Sequence, residues 1–501
     1  MTTPPPNPAT AAPSKTASHD GWSSWPLSRR LAIVKAFREG LAAEVDSLAA
    51  AVHGPGRTPA QTIAAEILPL LEAAKFLERN ARRLLRRQRL GLRGRPSWLW
   101  GVRGSIERRP LGRVLILGTW NYPLFLTGCQ LLQALVAGNR VTISPGRGCS
   151  PVTLRMARLL AVAGLPGEAL DVVGETVGDA QAAMRQADHV ILTGSSTTAR
   201  AVLRQAAETL TSCTIEASGS DAVFVLPGAN LRRLADALAF GMQLNGSATC
   251  IGPRRVLVLR DQFDLLAATL EAKLAPLRLV PDAAAWDAAV LAASESNGTV
   301  PETCGRVFPA IAGDAATAHA QCVSPLLVLD PDRDSPVVTS DLFAPVLSLL
   351  PVASVEEMLA ADAACPYALG ASVFGPEADA VALADRVHAG CITVNDLIVP
   401  TADPRIPFGG RGESGYGVTR GGEGLLALTR PHVVMTRRGS WLPHLDEPHP
   451  QDAALLGGLA QYGHAATWRA RMAGLKRLIT AARRLSPTPA TPPRDDAAEA
   501  R

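Results

Sequence analysis

The sequence predicts an α/β protein built on a doubly wound parallel sheet, followed by a second α/β domain. Three observations carry that expectation. Short apolar runs closed by Gly or Ser alternate with helix-patterned stretches between residues 112 and 218. The alternation restarts after residue 220. A chain of 501 residues also exceeds what one hydrophobic core organises.

Taken in order, residues 19 to 96 are patterned as helix. LSRRLAIVKAFREGLAAEVDSLAAAV and AEILPLLEAAKFLERNARRLLRRQ both space apolar residues by three and four. GRVLILGTW is a buried strand closed by Gly118, and LTGCQLLQALVAG is helical. NRVTISP, DVVG and HVILTGS are further strands, with TLRMARLLAVAGLPG as a helix between the first two. The second set opens with AVFVL, continues through the helix LRRLADALAFGMQLNG and returns to a strand at RRVLVLR. Residues 441 to 501 contain one amphipathic helix, with Trp468, Met472, Leu475, Ile479 and Ala482 on its apolar face and Arg469, Lys476 and Arg483 opposite.

Composition excludes several classes. The net charge of +5 is small for this length and lies partly in local runs such as RRLLRRQR, so no nucleic-acid partner is expected. Residues 1 to 18 lack the apolar core of a signal peptide and are expected to be a disordered tail. No run of about 18 apolar residues marks a membrane span. Eight scattered cysteines form no CxxC pair and no metal-ligand spacing, so a reduced, cytoplasmic protein without a metal is expected. The basic face and Trp468 of the C-terminal helix admit a membrane-surface contact. Packing on the protein's own surface is the alternative.

Four stretches carry chemistry. LTGSSTTA leads a strand into a helix at Ser195, where backbone N–H groups and the helix dipole suit a pyrophosphate or simply close a turn. TIEASG ends an apolar segment on Glu216, a base or a strand-end carboxylate. LGTWNYPL places Asn121 directly after a strand, where loops carry functional groups. NGSATCIGP sets Cys250 in a flexible loop of small residues, where nearby N–H groups would lower its pKa. The alternative for any single cysteine is a buried structural thiol.

In this order and spacing the four stretches resemble the aldehyde dehydrogenase superfamily. PFGGRGESGYG (407 to 417) resembles the signature of its class 3, fatty-aldehyde-like branch; DLFAPVL (341 to 347) and CITVND (391 to 396) also fit. The resemblance implies a Rossmann-like dinucleotide-binding domain at 19–218 with an oligomerisation hairpin near 97–110. It further implies a catalytic α/β domain at 219–404, a bridging and oligomerisation segment at 405–440, and an extension at 441–501. By resemblance Cys250 attacks an aldehyde. Asn121 and the Cys250 N–H form the oxyanion hole, and Glu216 is the general base. Trp120, Ser144, Arg147, Thr193, Gly194, Ser195, Asp341 and Phe343 are the expected contacts of NAD or NADP.

The pattern is also broken in places. Where the family has a ribose-binding lysine the chain has Ser144, its acidic neighbour is Arg147, and the glutamate of the EIFGP motif is Asp341. An arginine cannot accept ribose hydroxyls but can grip a phosphate, which favours NADP. The resemblance implies a homodimer acting on medium- or long-chain aliphatic or aromatic aldehydes. Two alternatives accompany it: a coenzyme A-acylating enzyme, and a binding or scaffold protein on a catalytically degenerate fold.

Overall fold

The computed structural model describes residues 21–484, apart from 53, 55, 100, 309–321 and 441. The expected tail at 1–18 and the last part of the extension, 485–501, lie outside the described residues. The chain divides into two compact units, one running to Leu90 and over Gly104–Val434, the other over Gly91–Arg103 and from Met435 onward.

The first unit opens with helices α1 (Leu27–Ala43) and α2 (Leu68–Leu84), the latter entered through a π-helical turn at Ile63–Ile67. The helical pattern ends sooner than the sequence predicts. The apolar spacing stops at Leu85, and strand β1 (Gln88–Leu90) pairs antiparallel with the Gly104–Ile106 part of β2 (Val102–Pro110).

The first large sheet then forms from β3 (Arg113–Leu117), β4 (Arg140–Ser144), β5 (Leu170–Val172), β6 (His189–Gly194) and β7 (Ser212–Ala217), in the parallel order β7-β6-β3-β4-β5. Both faces of its central strands are covered, which is why RVLIL and HVILTG are continuous apolar runs. One cover is α3 (Phe125–Ala137), buried at every residue. Helices α4 (Ser150–Val162) and α5 (Ser196–Thr209) follow β4 and β6. The chain starts at β3 in the middle, winds out to β5 and returns to β6. A crevice therefore opens between the carboxyl ends of β3 and β6.

The second sheet is wholly parallel: β8 (Asp221–Val225), β9 (Pro253–Leu259), β10 (Leu326–Leu329), β11 (Val346–Val352), β12 (Gly370–Phe374) and β13 (Cys391–Val394), ordered β10-β11-β9-β8-β12-β13. Helix α6 (Leu231–Gln243) links β8 to the loop that bears Cys250. A late strand, β14 (Gly415–Tyr416), returns to the first sheet and pairs antiparallel with β7. The sheet of β1 and β2 is completed by β15 (Thr429–Arg437).

The second unit corrects the expectation for the C-terminus. It holds two helices, α7 (Asp452–His464) and α8 (Trp468–Arg483), and the face of α8 that packs is not the one chosen by apolarity. Trp468 is 73% exposed, and Met472 and Ile479 also face outward, while Gly474 and Ala481 are buried. The reason is backbone approach. A Cβ on Gly474 would lie 2.5 Å from the Tyr462 nitrogen, and one on Gly458 would lie 2.7 Å from the Leu478 nitrogen. Gly474→Leu is accordingly expected to force the helices apart at a cost of about 1–3 kcal/mol. Faster amide exchange across Asp452–His464 is the readout; unchanged exchange would show that this contact does not hold the hairpin.

Candidate active site

After α6 the chain takes an unusual path. Asn245, Gly246 and Ser247 have φ of +54°, +60° and +68°, three left-handed residues in succession. Asparagine and glycine tolerate that region, but serine does so at a cost. Side chains hold the loop there. Asn245 donates from Nδ2 to the carbonyls of Asn121 (3.0 Å) and Ala248 (3.2 Å). Arg254, 2% exposed, donates to the Ser247 hydroxyl at 3.1 Å and the Ser247 carbonyl at 2.9 Å.

Cys250 follows in a turn, its carbonyl accepting from the Gly219 N–H at 3.1 Å. Its own N–H has no acceptor among the described residues. With Glu216 it lines a cavity of about 540 Å³. The expectation of a lowered thiol pKa is overturned. Burial pushes the Cys250 thiol up, the carboxylates of Glu216, Asp221 and Asp341 push it further, and Arg420 opposes them.

Asn121 is buried beside this loop. Its Nδ2 donates to the Ala248 carbonyl at 2.9 Å, and its Oδ1 accepts from the Thr119 hydroxyl. One amide hydrogen is thus committed to the cysteine loop and the other stays free. The Asn121 carbonyl also accepts from Arg57 at 3.1 Å. Arg57 in turn pairs with Glu66 at 2.8 Å, with both side chains at 1% exposure or less. Glu66 accepts from the N–H groups of Leu124 (2.7 Å) and Phe125 (3.1 Å), closing the start of α3. Nothing in the sequence singles out this pair, because Arg57 lies in a Gly- and Pro-containing loop and Glu66 in the helical stretch after it, with no motif joining them.

Glu216 stands near the end of β7 at 2% exposure. Oε2 accepts from the Thr419 hydroxyl at 2.8 Å, while Oε1 has no partner. Burial pushes its pKa up, against Arg420 and Thr419. The PFGGRGESGYG segment earns its spacing here: Gly415 of β14 sits opposite Glu216, and a Cβ on Gly415 would lie 2.2 Å from the Ile215 carbonyl oxygen.

The structure places Trp120, Ser144, Arg147, Thr193, Gly194, Ser195, Asp341 and Phe343 around one cleft of about 650 Å³ at the β3/β6 crevice. Ser195 caps α5, accepting from the Thr198 N–H at 3.2 Å. Thr193 accepts from Gln130 at 2.9 Å, and Ser144 donates to the Gly174 carbonyl at 3.2 Å. The rings of Trp120 and Phe343 are tilted at 6.0 Å. Arg147 is exposed at the rim. Glu175, which sequence reasoning missed, also lines the cleft. It accepts from the N–H groups of Gly148 and Ser150, both at 2.7 Å, and bonds from Ser150 and Gly148 hold it below the usual carboxylate range.

Asp341, an expected cofactor contact, is also engaged by the protein itself. Oδ1 faces Arg254 at 3.4 Å and the Phe343 N–H at 3.1 Å; the Ser218 hydroxyl also favours the charged form, while Oδ2 is buried without a hydrogen bond of ordinary geometry among the described residues. That orphaned acceptor in a cleft at the switch point fits the hydroxyl donors of a dinucleotide ribose.

A doubly wound sheet with such a cleft at its switch point, beside a cavity that holds a thiol and a buried carboxylate, is the layout of a dinucleotide-binding α/β protein. Comparison with known proteins makes the class specific. The aldehyde dehydrogenase family model matches residues 9–434, and the chain belongs to that family. It is an oxidoreductase acting on aldehydes with a nicotinamide cofactor. A Methylomonas protein named 4,4'-diapolycopene aldehyde oxidase is 27% identical over 84% of this chain and 81% of its own. A Mycolicibacterium smegmatis protein named "putative succinate-semialdehyde dehydrogenase (NADP+)" is 30% identical over 86% and 84%. The crystal structure of a Mycobacterium tuberculosis aldehyde dehydrogenase complexed with NAD+ shares the fold, with a TM-score of 0.73 at 23% identity over 84% of this chain and 88% of that one.

Thr419 stabilises the charged form of Glu216, so removing its hydroxyl raises an already raised pKa. Thr419→Val is expected to move the carboxylate inflection of the pH–rate profile to higher pH, with rates converging on wild type at alkaline pH. A profile that does not move would detach Thr419 from the acid–base chemistry.

Proposed function

We propose that the protein oxidises aldehydes to carboxylic acids by a hydrolytic route through Cys250. The observation that carries this reading is the shared cavity of Cys250 and Glu216, with Glu216 Oε1 unpartnered. The Cys250 sulfur, its proton passed to Glu216 or water, adds to the carbonyl carbon and gives a thiohemiacetal oxyanion. The free Asn121 amide hydrogen and the Cys250 N–H are the donors available to that oxygen. NAD or NADP, held by the residues that line the neighbouring cleft, would supply the hydride acceptor, and loss of hydride from this carbon leaves a thioester on Cys250. Glu216 then removes a proton from water as it attacks the thioester, and the acid departs with the thiol restored.

Several finer assignments belong to the same proposal. The cofactor is assigned to the domain at 19–218 and substrate chemistry to 219–404, with 405–440 bridging. Placement in the class 3 branch rests on the PFGG signature. A homodimer is supported by three exposed apolar residues in succession on β15, Val433, Val434 and Met435. Retention of a buried base favours hydrolysis over transfer to coenzyme A, because an enzyme that shields its thioester from water gains little from one.

Cys250→Ala is expected to abolish turnover by several orders of magnitude. Glu216→Gln should lower the steady state by about 10²- to 10⁴-fold while a burst of reduced cofactor persists. Full activity in the alanine variant, or turnover that requires coenzyme A, would sink the hydrolytic reading.

NADP is the proposed cofactor. Arg147 at the cleft rim is placed to grip a 2′-phosphate, the relative from Mycolicibacterium smegmatis carries NADP+ in its name, and Glu175 beside the same loop works against a phosphate. A charge-assisted contact corresponds to about 10- to 100-fold in kcat/KM. Arg147→Glu is expected to reverse the NADP/NAD ratio; a wild type that prefers NAD would remove Arg147 from this role.

A further inference from the structure

We infer that Arg420 is the receptor for a carboxylate carried by the substrate, so that the preferred aldehydes bear an acid group at their far end. The inference rests on the reading of the Cys250 cavity as the substrate site, and it names the chemistry which that cavity selects.

Arg420 lines the same cavity as Cys250 and Glu216, at 6% exposure. The walls around it are largely apolar, with Phe125, Leu126, Phe240, Ile251, Ile398 and Phe408 among them. A guanidinium has five N–H donors. Here Nη1 donates to the Thr401 carbonyl at 2.7 Å, and Nε is buried without a partner. The charge rests over aromatic faces, 4.1 Å from the Phe408 ring centroid and 5.4 Å from that of Phe125. Among the described residues Arg420 forms no ion pair.

Its backbone is held in an unusual conformation. Arg420 has φ +59° and ψ 176°, a conformation almost reserved for glycine. The position is pinned on both sides: its N–H donates to Gln133 at 3.2 Å, and its carbonyl accepts from the Gly424 N–H at 2.8 Å. A large charged side chain is kept where a glycine would sit without strain.

A buried cation with unmet donors is costly until an acceptor arrives. A carboxylate matches the guanidinium fork with two oxygens, and the apolar walls accommodate the methylene or aryl spacer that separates it from the aldehyde. A neutral aldehyde would leave the donors unmet, which is how a polar site rejects analogues lacking its partner. Arg420 also opposes the upward push on Cys250 and Glu216. A purely electrostatic duty toward those two groups would help charged and neutral aldehydes alike, and that difference makes the inference testable.

The experiment compares matched aldehydes with the full-length protein and its better cofactor: 4-carboxybenzaldehyde against its methyl ester, and 4-oxobutanoate against pentanal. The acid member of each pair is expected to lead in kcat/KM by about 10- to 100-fold. Arg420→Met should bring the ratio near one. Arg420→Gly should do the same on a backbone that prefers glycine, which separates the effect from misfolding. Benzoate, but not benzamide, should slow alkylation of Cys250 by iodoacetamide in wild type and lose that effect in both variants; this readout needs no turnover. A wild-type ratio at or below one, an equal fall for acid and neutral aldehydes, or protection that survives in the variants overturns the inference. If no aldehyde is oxidised yet protection depends on Arg420, the carboxylate receptor stands and the proposed reaction falls.

Discussion

The buried pair of Arg57 and Glu66 fixes the loop on which both cavities converge. Residues 118–120 of that loop line the cleft at the β3/β6 crevice, while Tyr122 lines the cavity of Cys250. Arg57 holds the loop through the Asn121 carbonyl, and Glu66 holds it through two N–H groups at the start of α3. Removing one member of such a pair strands the other in a dry interior, at about 3–5 kcal/mol. The N-terminal segment thus braces this loop and, through Gln61, Ala64, Ala65 and Pro69, also lines the cavity of Cys250.

The electrostatics of the thiol follow from the same enclosure. Low dielectric surroundings and three carboxylates keep Cys250 protonated at rest, and burial also keeps Glu216 above its ordinary range. The two groups line one cavity, and Arg420 favours the charged form of each.

Departures from the family pattern in the cofactor cleft are tied to the cysteine loop. Asp341, one methylene shorter than the usual glutamate, is engaged by Arg254, and Arg254 also holds the Ser247 hydroxyl and carbonyl. A single buried guanidinium therefore braces the approach to Cys250 and turns the remaining Asp341 oxygen toward the cleft. At the other end Glu175 accepts from the N–H groups before α4, so the exposed rim carries both its carboxylate and the Arg147 guanidinium.

The sequence alone determined the alternation of buried strands and helices and marked Cys250, Glu216, Asn121 and eight residues that now surround one cleft. Those features are legible because burial of a whole strand or helix face writes a periodic pattern into neighbouring residues. It did not reveal the Thr419–Glu216 bond, whose members are 203 positions apart, nor the roles of Arg57, Glu66, Asn245, Arg254 and Arg420. It also chose the wrong face of α8, because Gly474 contributes nothing to an apolar count yet lets two backbones touch. The direction of the Cys250 shift was misjudged for a related reason. Local sequence shows which groups are adjacent along the chain, whereas a pKa depends on which charges the fold gathers and how much water it leaves, and only the tertiary structure decided that.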